Sequence, residues 1–384
     1  MDVKKHSVAI AIVTGLLVVG VFGAWRFLLP LWPALGPAAS IPSPSQNAPT
    51  SGPLHTASGW SSSLLVSHVP GARDLAIDPF GNVWVSQTSE GTVSLVTLAG
   101  DGAPRVDVML RDLDRPHGLV FDPAFPTMLY IATETAIFRI PTYSDGPLER
   151  VADLPEGGRH FTRSLAFGPD GRLYVSIGST CDVCYEQDPE NAAVISMKTD
   201  GSDRRTAATG LRNAVFIAFH PRLSGTLFTT EMGRDFLGDT LPPDEVNSID
   251  TSAAAADYGW PICYGDRVHD SKFDKNQYIR DPCADTIGPV IQLPAHVAPL
   301  GLAFLPDGDL LVAEHGSWNS SVPVGYKVVR MHRSGSAWSS EDFLTGFLVG
   351  SSAIGRPVDV LPMPDGSVLV SDDKSGSIWK VTPQ

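Results

Sequence analysis

Basic residues are scarce in this sequence, charged residues as a whole are few, and cysteine is rare. Lys and Arg number 28 against 42 Asp and Glu, which gives a net charge of −14, and charged residues make up 18% of the 384 positions. A chain this acidic argues against nucleic acid or anionic lipid as a partner. A chain of this length can also build a core without relying on its 4 cysteines. Its 36 glycines and 32 prolines fall between short apolar runs, as in all-β proteins with many turns.

Long apolar runs are lacking too, with one exception near the N-terminus. Lys4 and Lys5 precede an uncharged stretch from Ser7 to Ala24. A basic flank followed by such a stretch predicts a signal peptide or a single signal anchor within residues 1–29. We favour an anchor, because the stretch is long for a signal peptide and Ala38-Ala39-Ser40 is a poor cleavage site. In both cases the rest of the chain is exported to the periplasm or another extracytoplasmic location, and only this segment touches the membrane.

Proline, serine and alanine dominate residues 30–59, which predicts an extended, semi-rigid linker. Its prolines include Pro33, Pro37, Pro42, Pro44, Pro49 and Pro53. Residues 60–384 are then expected to form a single folded domain.

Six segments of this domain share one pattern, in which apolar residues precede a variable position, a proline and a turn. They are Leu75–Pro79, Leu119–Pro123, Leu165–Pro169, Ile217–Pro221, Leu302–Pro306 and Val360–Pro364. The turn reads Pro-Asp-Gly in three copies and Pro-Phe-Gly in a fourth. Proline presets the first dihedral angle of such a turn, and glycine accepts a positive φ between two strands. An alternating strand follows each of these turns, as in Val83–Ser86.

The spacing of the six copies predicts the fold. From proline to proline the intervals are 44, 46, 52, 85 and 58 residues, and periods in the forties and fifties are typical of propeller blades. We therefore predict an all-β, six-bladed β-propeller, closed by Ser377–Val381 or by Ser62–Val66. The longest interval indicates an insertion at about residues 237–291. A β-sandwich with similar turns is the alternative.

The four cysteines are Cys181, Cys184, Cys263 and Cys283. An even number in an oxidising compartment indicates two disulfides. Cys181–Cys184 would be local, and Cys263–Cys283 would close the insertion. A c-type haem site would need His after the second cysteine, where the chain has Tyr185. A zinc site with four cysteine ligands remains an alternative.

Polar clusters stand immediately before four copies of the repeat. They are Arg115–Gly118, Gly158–Arg163, Leu211–Ala214 and Arg356–Pro357. Because the clusters hold equivalent positions in the blades, their side chains should converge at one end of the propeller axis. A ring of Arg, Asn and His is costly unless it meets an anion or a polar ligand. The sequence thus predicts a polar binding pocket at that end.

Further motifs follow one another in a recognisable order. They are Leu211–Asn213, Glu231–Asp235, Asp244–Asn247 and Asp257–Pro261. In this order they resemble the soluble dehydrogenases that oxidise sugars with pyrroloquinoline quinone (PQQ). The resemblance is strongest to the sorbosone dehydrogenase-like branch, through Gly178–Cys184, His315–Asn319, Gly325–Arg330 and Gly355–Val358. It covers about residues 65–384, and the fold that it implies is a six-bladed propeller, in agreement with the repeat count.

The resemblance implies an oxidoreductase that passes a hydride from a sugar or polyol to PQQ, with Ca²⁺ as a second cofactor and a separate electron acceptor. His160 matches the general base, and imidazole suits this task because it can be neutral near pH 7. Gly233 and Arg234 match the residues whose backbone carbonyls hold Ca²⁺, which readily takes oxygen ligands. The contacts to PQQ that the resemblance implies are His117, Arg212, Asn213, Asn319 and Arg356.

Two positions depart from the family pattern. Ser320 stands where the family usually has Arg, which removes one basic contact. Arg159 precedes the base where the glucose dehydrogenase branch has an acid, which argues against glucose as the substrate. Two other functions stay open. A Ca²⁺-dependent lactonase would want carboxylate and Asn metal ligands around the axis, and a propeller that only binds peptide or glycan would not need His160.

Overall fold

The computed structural model describes residues 54–98, 103–156, 158–335 and 337–384. The expected signal anchor, and the linker as far as residue 53, lie outside the described residues. Within the described residues, there is no helix of sufficient length and apolar character to cross a membrane. The regular elements of the described part are β-strands, numbered β1 to β30 in chain order.

Six antiparallel four-stranded sheets form the blades, and each is described from its inner strand outward. Blade one comprises β3 (Ala72–Ile77), β4 (Val83–Gln87), β5 (Thr92–Thr97) and β6 (Arg105–Leu110). Blade two comprises β7 (Leu119–Phe121), β8 (Met128–Ala132), β9 (Ala136–Pro141) and β10 (Glu149–Asp153). Blade three comprises β11 (Leu165–Phe167), β12 (Leu173–Ile177), β13 (Ala193–Met197) and β14 (Arg205–Thr209).

The second half of the chain repeats this arrangement. Blade four comprises β15 (Ala214–Phe219), β16 (Thr226–Glu231), β17 (Asp244–Asp250) and β21 (Ile291–Leu293). Blade five comprises β22 (Pro299–Phe304), β23 (Leu310–Glu314), β24 (Lys327–Ser334) and β25 (Ala337–Thr345). Blade six comprises β28 (Pro357–Pro362), β29 (Val368–Asp372), β30 (Ser377–Pro383) and β2 (Trp60–Val66). The predicted all-β, six-bladed propeller is confirmed.

Short strands supplement the blades. β1 (His55–Thr56) pairs with β25 and β18 (Ala256–Asp257) pairs with β14. Two small hairpins are formed by β19 (Cys263–Tyr264) with β20 (Val268–His269), and by β26 (Leu348–Val349) with β27 (Ser352–Ala353).

The ring is closed by strands from both ends of the described chain. β2 forms the outer edge of blade six and pairs with β30, for example Ser62 with Val381. Both segments that were considered for closure therefore lie in the same blade. This pairing links residues more than 300 positions apart, so the circle of blades is held by backbone hydrogen bonds.

The repeat segment corresponds to the inner strand and its turn into the second strand. Asp170 and Gly171 form one such turn, and Gly171 has φ +76° with no atom near its missing Cβ. The alternating pattern predicted for the second strands is typical of strands with one exposed face. Instead every residue of β4, β12, β23 and β29 is buried. Adjacent blades stack against both faces of these strands, so neither face reaches solvent.

The long interval in blade four differs in detail from the expectation. β17 lies within the segment predicted as an insertion, residues 237–291, but it pairs with β16 as an ordinary blade strand. The additional residues therefore lie mainly between β17 and β21. They contain β18, the β19–β20 hairpin and the disulfide Cys263–Cys283. β17 follows β16 after a long loop, residues 232–243, and carries no copy of the repeat, so the spacing of the repeats did not reveal it.

The N-terminal boundary also differs. Leu54 is buried and β1 pairs with the outer strand of blade five, so the folded structure begins before residue 60. Leu54 packs in the same apolar cluster as Phe343 and Leu344.

Candidate active site

Two loops of each blade lie at the same end of the propeller. In an antiparallel sheet, the residues before the inner strand and those after the second strand meet at the same edge. Loops of this kind from blades three, four and five surround one pocket. Its walls contain Arg159, His160, Arg212, Asn213, Met232, Gly233, Asp235, Asp244, His296, Ala298, Trp318 and Asn319. Five predicted site residues, His160, Arg212, Asn213, Gly233 and Asn319, are thus brought together.

His160 is oriented by Ser179, in the loop after β12. Its Nδ1 lies 3.1 Å from the Ser179 carbonyl oxygen and 2.8 Å from the Ser179 hydroxyl oxygen. That hydroxyl donates to the carbonyl of Cys181 at 2.7 Å, so it accepts from the ring. Nδ1 therefore carries the ring proton, and Nε2 keeps a lone pair that can accept one. Gly178 permits this packing, because a Cβ there would lie 2.5 Å from the Cβ of His160.

Burial keeps His160 neutral. It lowers the pKa of the imidazole to about 2, with the nearby charges of Arg212 and Arg159 acting in the same direction. A neutral imidazole is the form that accepts a proton, so the ring is in its base form at physiological pH. An anion bound beside the ring would favour the protonated form and would raise this pKa.

Arg212 is a buried cation whose guanidinium group is held on three sides. Nε donates to the Asp182 carbonyl at 2.8 Å, and Nη2 donates to the Asp182 carboxylate at 2.7 Å. Nη1 donates to the carbonyl of Met232 at 3.1 Å. Because three directions of the planar group are fixed, its positive charge has a defined position in the pocket wall.

Asp235 connects loops of three blades. Its Oδ2 lies 2.7 Å from Nη2 of Arg159 and 3.3 Å from Nη2 of Arg212. Its Oδ1 accepts a hydrogen bond of 2.6 Å from the side-chain amide of Asn319. Burial raises the pKa of Asp235, and the two arginines oppose this shift. The two cations in this wall are therefore held in place by Asp235, together with Asp182.

Gly233 and Arg234 lie in the loop after β16, where Gly233 lines the pocket and the predicted site residue Arg234 does not. The Gly233 N–H donates to the Asp244 carboxylate at 2.8 Å, whose second oxygen accepts from Ala298 N–H at 2.8 Å. The Arg234 side chain pairs with Asp270 at 2.7 Å. Within the described part of the chain, no donor is bonded to the carbonyl oxygen of Gly233 or of Arg234. Both oxygens therefore retain lone pairs for a further ligand.

Asn213 presents a second polar group with unused capacity. Its side chain is buried, and its amide nitrogen contacts the sulfur of Met232 at 3.5 Å. Its Oδ1 is buried and has no hydrogen-bond partner among the described residues. Leaving such a group unpaired costs about 1–3 kcal/mol. A bound group that offers a donor or a cation would remove this cost.

His117 and Arg356 lie outside this pocket. His117 is fully buried, with Nδ1 3.1 Å from the Arg163 carbonyl and the ring edge-on to Phe216. Arg356 donates from Nε to the His315 carbonyl at 3.0 Å, and from Nη2 to the Gly316 carbonyl. It thus contacts the loop that carries Trp318 and Asn319.

Several residues that line the pocket or contact its lining were not predicted as site residues, among them Arg159, Ser179, Asp182, Asp235 and Asp244. Asp182 and Asp235 were present in the quoted motifs Gly178–Cys184 and Glu231–Asp235. Because both are acidic residues in motifs that had already been singled out, they could have been predicted as partners of the cationic site residues. The contact between Ser179 and His160 had no sequence signal, because it depends on the packing of two loops.

Both predicted disulfides are confirmed, and one of them borders the pocket. Cys181–Cys184 closes a loop that contains Asp182, the main partner of Arg212. Cys263–Cys283 lies in the additional segment of blade four.

Residues 54–384 match the protein family described as TrAA12-like. The chain belongs to this family. The pyrroloquinoline quinone-dependent pyranose dehydrogenase of Coprinopsis cinerea is 35% identical in an alignment 402 residues long, gaps included, and the alignment covers 85% of this chain and 54% of that protein. This member of the TrAA12-like family therefore spans about half the length of the curated relatives it matches.

Solved structures support the same fold for this family member. The holo form of the PQQ domain of the Coprinopsis cinerea pyranose dehydrogenase superposes with a TM-score of 0.74 at 22% identity, covering 87% of this chain and 98% of the domain. The calcium structure of a Trichoderma reesei enzyme of carbohydrate-active family AA12 gives a TM-score of 0.77 at 20% identity, covering 88% and 100%.

Proposed function

We propose that the protein oxidises a sugar or a related polyol with PQQ, which is held together with Ca²⁺ in the pocket around His160. The observation that carries this proposal is the state of His160. Its Nδ1 is fixed as a donor by Ser179, so Nε2 is available as a base, and Arg212 and Arg159 lie nearby. This arrangement supports removal of a hydroxyl proton next to a centre that takes up a hydride.

The donor set is consistent with PQQ. Arg159 and Arg212 supply positive charge in the pocket wall, which favours the carboxylates and quinone oxygens of PQQ. The unpaired amide oxygen of Asn213 offers a further hydrogen bond, and a flipped side chain would present its NH₂ group instead. Arg159 also lies over Trp318, at 5.5 Å from the ring centroid. Its cation supplies a basic group close to the position where Ser320 replaces the usual Arg.

The backbone groups near the pocket are also consistent with a Ca²⁺ site. Gly233 and Arg234 have carbonyl oxygens that accept no hydrogen bond from the described residues, and Ca²⁺ takes oxygen ligands of this kind. Asp244, which is bonded to the Gly233 N–H, adds a carboxylate nearby. We propose that these two carbonyl groups hold Ca²⁺ beside PQQ.

In this proposal PQQ supplies the electron sink of the reaction, and the protein residues prepare the substrate. His160 receives the hydroxyl proton at Nε2, while Ser179 keeps the ring in the required orientation. Arg212 stabilises negative charge that develops beside it, because its guanidinium is fixed and shielded from water. Asp235 holds Arg159, Arg212 and Asn319 in one rigid wall, so these groups need little reorganisation.

We further propose a substrate and a location. The motif resemblance favours an aldose or a sorbosone-like aldehyde, and Arg159 beside the base disfavours glucose. The two disulfides are in keeping with an exported protein. Residues 1–29 would then serve as the signal anchor or signal peptide, and a quinone, a cytochrome or a dye would accept the electrons.

The proposal is tested by incubating the purified protein with PQQ and Ca²⁺ and measuring dye reduction over a panel of aldoses, ketoses and polyols. We expect turnover with at least one sugar. His160→Ala should lower the turnover number by about 100-fold or more, which is the usual contribution of a general base. A control variant, His332→Ala on the outer part of blade five, should keep full activity. No dye reduction with any sugar would contradict the proposal.

A further inference from the structure

A second cavity lies between blades four and five, next to the candidate active site. Its volume is about 440 Å³, which falls in the range of roughly 300–1,000 Å³ found for ligand pockets. Its apolar lining includes Ile291, Val297, Val329, Met331 and Trp338. These side chains come from both blades, so an organic ligand with apolar surface could contact apolar walls on two sides.

One backbone segment contributes to the lining of both this cavity and the candidate active site. His296 and Ala298 line the active-site pocket, whereas Val297 between them lines the second cavity. The segment is firmly held, because the Val297 carbonyl accepts from Gly316 N–H at 2.8 Å and Ala298 N–H donates to Asp244. A molecule in the second cavity would therefore lie against the wall of the active site without entering it.

Glu314 is the acidic residue in the lining of this cavity. The residue is 3% exposed and lies at the end of β23, among the lining residues. Its Oε2 is buried without a partner, and no donor within the described residues is bonded to its carboxylate. Lys327, a basic residue of the lining, lies opposite Glu314 in the β23–β24 pairing, but its ammonium group pairs with Asp342 at 2.6 Å. A buried carboxylate without a partner is costly, so a ligand with positive charge would be stabilised here.

The carboxyl group of Glu314 gains or loses its proton near neutral pH, so a bound cation can change its ionisation. Burial raises the pKa of Glu314 to about 7, and the charge of Lys327 opposes this shift. The carboxylates of Asp342 and Asp244 act in the same direction as burial. A bound cation would favour the ionised carboxylate. Affinity for a cation should therefore rise as the pH increases from about 6 to about 8.

We propose that this cavity binds a small, flat organic cation of the phenazinium class, whose charge pairs with Glu314 and whose rings lie against the apolar walls. Such a cation is also an oxidant, and its position beside the Val297 wall suits it as the electron acceptor of the enzyme. The acceptor role rests on the function proposed above, whereas the binding of the cation does not.

The redox change balances. Oxidation of a CH–OH group to C=O releases two electrons and two protons. A phenazinium cation takes up two electrons and one proton and becomes a neutral dihydrophenazine, and the second proton passes to solvent. The neutral product no longer forms an ion pair with Glu314, so its release is favoured.

Binding is tested by equilibrium dialysis of the full chain with N-methylphenazinium and, for comparison, with neutral phenazine. We expect the cation to bind more tightly, and Glu314→Gln to weaken it by at least about tenfold, the loss of one charge-assisted contact. Glu341→Gln is the matched control, because Glu341 is an exposed glutamate of the same blade, and it should leave binding unchanged. Ser340→Lys, an exposed position in the cavity lining, adds a repelling charge without disturbing the core and should also weaken binding.

A kinetic measurement separates this inference from the proposed function. With the protein loaded with PQQ and Ca²⁺, Glu314→Gln should raise the KM for N-methylphenazinium but not the KM for the sugar or for a neutral benzoquinone acceptor. Cation binding or KM that is equal in wild type, Glu314→Gln and Ser340→Lys would overturn the inference while leaving the proposed function intact. Specific binding without turnover on any acceptor would support the cavity and contradict the proposed function.

Discussion

His160 and Ser179 form a fixed pair, in which the imidazole Nδ1 lies 2.8 Å from the serine hydroxyl oxygen. The Ser179 hydroxyl donates its hydrogen bond to the Cys181 carbonyl, so the imidazole ring must donate to Ser179. A neutral hydrogen bond contributes about 0.5–1.5 kcal/mol. Ser179→Ala should therefore lower the turnover number by about two- to tenfold, and not more, because the Ser179 carbonyl still holds the tautomer.

Steady-state kinetics with PQQ and Ca²⁺ measure this effect, with Ser375→Ala in blade six as a control. A loss as large as that of His160→Ala would show that the hydroxyl does more than orient the ring. An unchanged turnover number would show that the hydroxyl contact is dispensable.

The low pKa of His160 predicts a pH-dependent contribution to stability in the protein without cofactor. The folded pKa is about 2, whereas an unfolded histidine has a pKa of about 6.5. Between these values the unfolded chain binds a proton that the folded chain does not, so the free energy of unfolding falls as the pH drops below 6.5. At pH 5 this amounts to about 2 kcal/mol for one histidine.

His160→Gln lacks this group and should lose less stability between pH 7.5 and pH 5 than the wild type does. Urea unfolding at the two pH values measures the difference, and other titrating groups cancel in the comparison. Equal losses in the two proteins would mean that His160 is not buried in its neutral form.

The two disulfides should differ in what their removal affects. In the chain-entropy estimate, the short Cys181–Cys184 loop contributes about 2 kcal/mol and the longer Cys263–Cys283 loop about 3 kcal/mol. Yet Cys181–Cys184 encloses Asp182, which holds Arg212. Replacing Cys181 and Cys184 by serine should therefore reduce turnover strongly, whereas the Cys263/Cys283 double variant should mainly lower the melting temperature. The reverse pattern would contradict the positioning of Arg212 by this loop.

The N-terminal boundary can be tested by comparing two truncations. A chain of residues 54–384 should fold with a cooperative transition, because it retains β1 and the buried Leu54. A chain of residues 59–384 loses both, and the loss of Leu54 alone should reduce the free energy of unfolding by about 1.5–3 kcal/mol. Equal stability of the two chains would place the boundary at residue 60, as the sequence had suggested.

The blade repeat could be predicted because its signals are local. The turn at Asp170-Gly171 and the apolar residues around it occur within a few positions, and they recur along the chain. β17 was placed in an insertion because it carries no copy of the repeat, and only its pairing with β16 and β21 shows that it is a blade strand. The closing role of β2 was similarly ambiguous, since its partner β30 lies at the other end of the sequence.

The candidate site was predictable to a comparable extent. His160, Arg212 and Asn213 stand directly before inner strands, so their convergence followed from the repeat. The contacts of Asp235 with Arg159 and Asn319 join loops of three blades, and no spacing in the sequence encodes them. His117 illustrates the converse, because it occupies an equivalent loop position and yet is fully buried against Arg163.

The central claim is that this propeller binds PQQ with Ca²⁺, and the most direct test is a titration of the protein with PQQ followed by absorbance and thermal unfolding. We predict uptake of about one PQQ per chain when Ca²⁺ is present, with a rise in melting temperature because the cofactor binds only the folded state. Chelation of Ca²⁺ before PQQ is added should abolish uptake, and Arg212→Ala should weaken it. The absence of any spectral change or thermal shift at high micromolar PQQ with Ca²⁺ would contradict the claim.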